Sequence, residues 1–190
     1  MYMVSTNRNK VALIARSLAR YGIKLKHIDF SLPELQSHNF EEVATGKAKA
    51  AFEKAGKPCI VHDAGFFVTA LNGFPGVLTH PVLDTIGIEG ILKLTEGKPR
   101  ECGFVHCLAY YDGRVKMPML FRSESTGTMS STPKGSSKKH HWSRLFDIYI
   151  PDGETKTLAQ MTLKEYKAWR DTSDVDESTT AFAKWYLRRK

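Results

Sequence analysis

The sequence contains no apolar run near the roughly 20 residues that a membrane-spanning helix requires, so no membrane partner is expected. Cysteine is scarce: Cys59, Cys102 and Cys107 are the only three, and none form a CxxC pair. That excludes a disulfide framework and a cysteine zinc site, and leaves three reduced core residues. The opening MYMVSTNRNK has neither the charged start nor the long apolar region of a secretory signal, which points to the cytoplasm. Acidic residues are too few to balance the basic ones, 20 against 28, giving a net charge of +8. A chain with pI near 9.4 favours polyanions, either nucleic acid or the phosphates of a small nucleotide. What remains is ordinary for a globular protein, 42% hydrophobic and 25% charged. The 190 residues suit one domain spanning 1–190, which at this size buries roughly 70% of its unfolded surface.

Periodicity assigns the elements. Met1 to Ser5 reads as a strand, and Val11, Leu13, Ile14, Leu18 and Tyr21 recur at helical spacing until Gly22. IKLKHIDF alternates as a second strand, and Phe40 to Lys57 repeats the helical pattern. Pro58 to His62 predicts a buried strand that stops at Asp63, where a Gly- and Pro-punctuated loop, DAGFFVTALNGFPGV, begins. Pro81 to Thr95 predicts a helix, and 101–111 and 115–124 predict a hairpin turned at Asp112-Gly113. Residues 126–144, rich in Ser, Gly, Lys and His, predict a mobile basic loop; a strand over 145–150 and helices over 158–170 and 178–187 follow. Helices early and paired strands in the middle indicate an α/β domain with a mixed sheet.

Two groups of residues can carry chemistry. In VSTNRNK a strand gives way to a helix start bearing Ser5, Thr6, Asn7 and Lys10, groups that can cradle phosphate at a helix N-terminus. The same residues also serve as plain caps. It is not a Walker loop, because the glycines are absent. Glu34 and Asp63 each follow a predicted strand, which in a parallel sheet places both at the ligand-binding edge. Such carboxylates suit Mg²⁺, which takes one or two of them together with substrate phosphates. The alternatives are a solvated loop acid at Glu34 and a turn cap at Asp63. KGSSKKHHWSR mixes cations with an aromatic, as in single-strand nucleic-acid grips, and equally as in a lid over a triphosphate.

VSTNRNK, LPELQ, HDAGFFVTALNGFPGV, FVHCLAYY, STGTMSSTPKG and PDG occur in the order and near the spacing of the inosine triphosphate pyrophosphatase family, which the chain resembles over most of its length. ALNGFPG is the most specific piece. The resemblance implies an elongated mixed α/β fold with two lobes and a central cleft, commonly a homodimer. It implies hydrolysis of non-canonical purine nucleoside triphosphates to monophosphate and pyrophosphate with Mg²⁺ or Mn²⁺. It assigns phosphate contacts to Ser5, Asn7, Lys10 and Lys47, metal binding to Glu34 and Asp63, and water activation to Asp63.

The departures from that pattern carry expectations of their own. His62 stands where the family has Glu, and a neutral imidazole there can serve as a base beside Asp63. Ala64 replaces a hydroxyl residue, and His80 is a substrate-side candidate. Trp142, Phe146, Asp147 and Lys167 lie near the family's base-reading segment, with Asp147 one place out of register, and the SHR triplet is missing. The acidic stretch Arg170 to Phe182 in its place would accept hydrogen bonds from an exocyclic amine, which predicts altered base specificity; stacking on Trp142 or Phe146 is the alternative. Loss of the glutamate and of SHR also fits a catalytically weak nucleotide or nucleic-acid sensor.

Overall fold

The computed structural model describes residues 1–33, 35–172 and 177–189, which leaves Glu34 and the centre of the acidic stretch outside the description. A single mixed sheet carries β1 (Tyr2–Val4), β2 (Lys26–Ile28), β3 (Cys59–Val68), β4 (Pro75–Gly76), β5 (Glu101–Tyr111), β6 (Met119–Met129) and β7 (Tyr149–Pro151). Its order is β2-β1-β3-β5-β6-β7, with β4 joined to β3. β1 runs parallel to β2 and β3, whereas β4 and β7 pair antiparallel to β3 and β6. The helices are α1 (Arg8–Ala19), α2 (Phe40–Ala55), α3 (Thr79–Thr85), α4 (Gly87–Leu94), α5 (Leu163–Thr172) and α6 (Glu177–Arg188). This is the α/β mixed-sheet class the sequence predicts.

The chain divides into two compact units, residues 1–64, 106–123 and 176–190 forming the first and 65–105 and 124–175 the second. In the first, α1 forms because Asn7 caps it, accepting the Lys10 backbone N–H at 3.0 Å, and because Val11, Ile14 and Leu18 recur on one stripe. That stripe closes a core with Met3, Ile60, Leu108, Tyr110 and Phe182. α2 is capped by Asn39 and carries Glu41 and Glu42 in its first turn, where the helix dipole favours negative charge. Gly56, at φ 61°, ends it in the left-handed conformation that residues with a Cβ disfavour.

The second unit is organised around Phe66, which is fully buried against Phe104 and Tyr149, with ring centroids at 5.1 and 6.3 Å. Thr79 ties α3 to this core: its hydroxyl accepts the Phe66 N–H at 2.7 Å and donates to the Gly76 carbonyl at 2.6 Å. On β5, Gly103 is required by close approach, since a methyl group there would strike the Ser125 carbonyl and the Phe67 ring. The three cysteines are free and buried. Burial pushes the thiols of Cys59 and Cys107 up to about 12 and raises that of Cys102 as well.

Several expectations need correction. β3 does not stop at Asp63 but continues to Val68, because its second half pairs with β4 at Phe66↔Gly76 and Phe67↔Pro75. Asp63 is therefore a mid-strand residue. The helix expected over 81–95 is broken at Gly87, whose φ is 67°. The strand expected over 115–124 lies at Met119–Met129, so the basic loop starts four residues later than 126. The first half of the strand expected over 145–150 is a 3-10 turn, Arg144–Asp147, and only Tyr149 and Ile150 lie in β7. Within the basic stretch, Lys134 N–H donates to the Asp147 carbonyl and the Thr157 hydroxyl to the Lys134 carbonyl, both at 2.8 Å, while the Lys138 ammonium donates to the Met161 carbonyl.

Candidate active site

The candidate site grows out of the first unit, where β1 ends and the chain turns into α1. Ser5 Oγ accepts the Asn7 N–H at 3.1 Å, and Asn7 in turn caps the helix. Capping and phosphate binding are compatible here, because the Ser5 hydroxyl keeps its own proton to donate. Thr6 is exposed at the turn, and Lys10 lies in the first turn of α1.

β3 supplies the chemistry, and its pleat decides which residues meet. Ile60 shares a core with Leu108 of β5, the His62 ring lies 5.5 Å from that of His106, and Phe66 meets Phe104. The even-numbered residues of β3 thus share a face of the sheet with the even-numbered residues of β5, and for Ile60 and His62 that is the α1 side. Asp63 points the other way, toward α2, where Lys47 Nζ donates to its Oδ1 at 2.6 Å. Its charge, with that of Glu41, also bears on the Cys107 thiol of β5. Adjacent residues of a strand point to opposite faces. His62 and Asp63 are therefore held apart, each with its own partners.

The Lys47–Asp63 pair is mostly shielded, with side-chain exposures of 14% and 13%. Desolvation of such a pair offsets much of its Coulomb attraction, so its contribution to folding is small. What it provides is a carboxylate and an ammonium group fixed against each other inside the site. Among the described residues no three His, Cys, Asp or Glu side chains converge into a metal cage. Magnesium needs none, since one or two carboxylates plus substrate phosphates and waters suffice. Asp63 offers a hard oxygen of that kind, so the site fits the ion; Glu34 lies outside the described residues.

Burial, then the nearby Lys10 and His106, hold the His62 imidazole well below its ordinary range; its backbone opposes this and Lys47 adds a smaller push downward. The influence of Lys47 shows that the two faces lie within electrostatic reach of each other at this point of the sheet. Burial, aided by Lys10, pushes His106 down to about 3. An unfolded histidine takes its proton near pH 6.5, so below that value the unfolded chain binds more protons than the folded one. Stability is thus expected to fall as pH drops from about 6.5 toward 3. Urea midpoints measured from pH 7 to 4 should show a flatter acid limb for His106→Gln than for the native chain, and parallel limbs would show that this histidine is not the source.

The other predicted substrate contacts belong to the second unit. Phe146 is buried, with Trp142 and Phe104 at ring distances of 5.3 and 6.0 Å, so it forms part of the core and not an open stacking platform. Trp142 is half-buried against the same cluster. Asp147 keeps one carboxylate oxygen, Oδ1, buried without a partner; burial raises its pKa against the opposing pull of Arg144 and Ser137. His80 sits on the surface, its Nδ1 3.1 Å from Asp84 one helical turn on, and Lys167 is exposed on α5.

A model of the Ham1 family matches residues 1–173. The chain belongs to the Ham1 family. It is 40% identical over 170 residues to the dITP/XTP pyrophosphatase of Methanopyrus kandleri, covering 89% of this chain and 86% of that one. It is 31% identical over 166 residues to the inosine triphosphate pyrophosphatase of Tuber melanosporum, covering 85% and 84%. The fold is that of a HAM1 protein from Coxiella burnetii, with a TM-score of 0.78 over 99% of both chains at 22% identity. These matches bear out the resemblance carried by the motifs.

In this Ham1 chain the residue that sequence reasoning passed over is His106. It sits in FVHCLAYY, a nearly continuous buried run, and shares the parity of Leu108 and Tyr110. A lone imidazole at an inward position of an apolar strand was the available signal. His140 and His141 were read only as part of a basic run, yet both rings pack on Tyr166, at 5.1 and 5.8 Å.

Proposed function

We infer that the chain hydrolyses purine nucleoside triphosphates carrying a deaminated, 6-oxo base, cleaving between the α- and β-phosphoryl groups to release monophosphate and pyrophosphate. The observation that carries this reading is the Lys47–Asp63 pair at 2.6 Å on one unit with the Lys10 turn. It sets a carboxylate of the kind that suits a metal ion against a lysine able to hold phosphate. The names of the relatives in Methanopyrus kandleri and Tuber melanosporum support the substrate class.

In this reading Ser5, Thr6 and Asn7 present hydroxyl, amide and backbone donors to phosphate oxygens, and Lys10 and Lys47 balance the charge that gathers on the departing pyrophosphate. Asp63 orients the attacking water and, with Glu34, would hold a magnesium ion. The ion, when bound, would supply Lewis-acid neutralisation of the phosphate oxygens. Lys47 exchanges its carboxylate contact for phosphate as the substrate settles, which leaves Asp63 free for its role.

A panel of inosine, xanthosine, adenosine and guanosine triphosphates, with Mg²⁺ or Mn²⁺ and both products quantified, tests the reading. Equimolar pyrophosphate and monophosphate, fastest from inosine and xanthosine triphosphates, is the expected result. Preference for adenosine triphosphate would instead favour the amine-accepting site suggested by the acidic stretch. Silence across the panel from folded protein would overturn the enzyme reading in favour of a nucleotide sensor.

A further inference from the structure

We propose that His62 is a phosphate ligand acting through Nδ1, and not a base partnered with Asp63; this rests on the pyrophosphatase reading of the same site. Strand alternation puts His62 on the α1 face of the sheet, in the electrostatic neighbourhood of Lys10, while Asp63 faces α2 and Lys47. An imidazole there lies beside the cation and the helix start that receive the phosphate chain.

The state of the ring points the same way. His62 Nδ1 is shut off from solvent and has no hydrogen-bond partner. A buried polar atom left in that condition is uncommon in folded proteins and marks a place where a partner is to arrive. With the ring proton on Nδ1, that atom is a donor. The acceptor it lacks is then an oxygen, and phosphoryl oxygen is the acceptor that the Lys10 turn is built to attract. His106, 5.5 Å away and inclined at 35°, backs the ring and limits its tilt, so it is a positioning residue.

Side-chain replacements separate this role from proton abstraction. The amide nitrogen of asparagine falls close to the place of imidazole Nδ1, whereas that of glutamine falls nearer Nε2, and neither amide can act as a base near neutral pH. Binding of inorganic tripolyphosphate in the presence of a chelator, followed by calorimetry, reads phosphate contact without turnover. His62→Phe and His62→Gln are expected to weaken it about tenfold and His62→Asn to restore it to within about threefold, the loss of one hydrogen bond to a charged group setting the scale. With nucleotide substrate the same variants should move KM in that order and leave kcat comparatively steady, and thermal melts confirm that each is folded.

Should His62→Asn bind tripolyphosphate as the native chain does yet lose turnover as fully as His62→Phe, the imidazole is a base and the proposal falls. Equal tripolyphosphate affinity in all three variants and the native chain overturns it too, while the pyrophosphatase reading stands. A native chain that binds no tripolyphosphate overturns it as well, and the nucleotide panel judges the pyrophosphatase reading separately.

Discussion

Asp63→Asn is expected to lower pyrophosphate release by about 10²–10³-fold, the scale on which removal of one pre-placed electrostatic group reduces turnover. The carboxylate stands 2.6 Å from Lys47 and is the described acid of the site with a cationic partner in reach. Asparagine has nearly the same volume and its amide oxygen still accepts the lysine proton, so packing and the hydrogen bond persist. What disappears is the negative charge that attracts a metal ion and aligns a water. The thermal midpoint is expected to move by less than about 4 °C, equivalent to roughly 1 kcal/mol in a chain of this size. Product formation measured by phosphate-coupled assay, alongside a melt, separates the two effects. An Asn variant that retains turnover would remove Asp63 from the mechanism altogether.

Phe66→Ala is expected to destabilise the protein by about 3–5 kcal/mol, the range for emptying a buried aromatic site. Its ring is fully buried and makes edge contacts with Phe104 and Tyr149, which themselves touch at 5.1 Å. The two rings left behind already touch each other, so filling the gap would mean moving them out of that contact. The midpoint should fall by about 6–20 °C, measured by circular dichroism with the native chain scanned at the same rate. A loss below about 1 kcal/mol would mean that the neighbouring rings close the cavity unaided.

The legible parts of the fold are those fixed by local chemistry. α1 and α2 could be placed from their asparagine caps, apolar stripes and terminal glycine, signals that act within a few residues. The second half of β3 was not legible: Ala64-Gly65 and the later Gly and Pro residues read as punctuation, whereas pairing with β4 holds the strand extended. The same limit applied to the turn at Arg144–Asp147, where tertiary packing of Leu145 and Phe146 overrode an alternating pattern. Within the site, hydroxyl, amide and ammonium groups at the start of α1 were legible as a candidate phosphate cradle. The resemblance gave Lys47 and Asp63 separate roles, and their partnership was not read, since no local rule joins a helix interior to a strand 16 residues on. His62 and Asp63 are neighbours in sequence, whereas the pleat of β3 turns them to opposite faces of the sheet, which no local signal announces.

The buried cysteines make the folded chain chemically quiet. Thiolate is the species that attacks maleimides and iodoacetamide, and burial with raised proton affinity suppresses it at Cys59, Cys102 and Cys107 together. A spectroscopic probe can therefore be attached at one cysteine introduced on the surface without first stripping out the native three. The native thiols remain available as an internal gauge of opening, with Cys59 and Cys107 in one unit and Cys102 in the other.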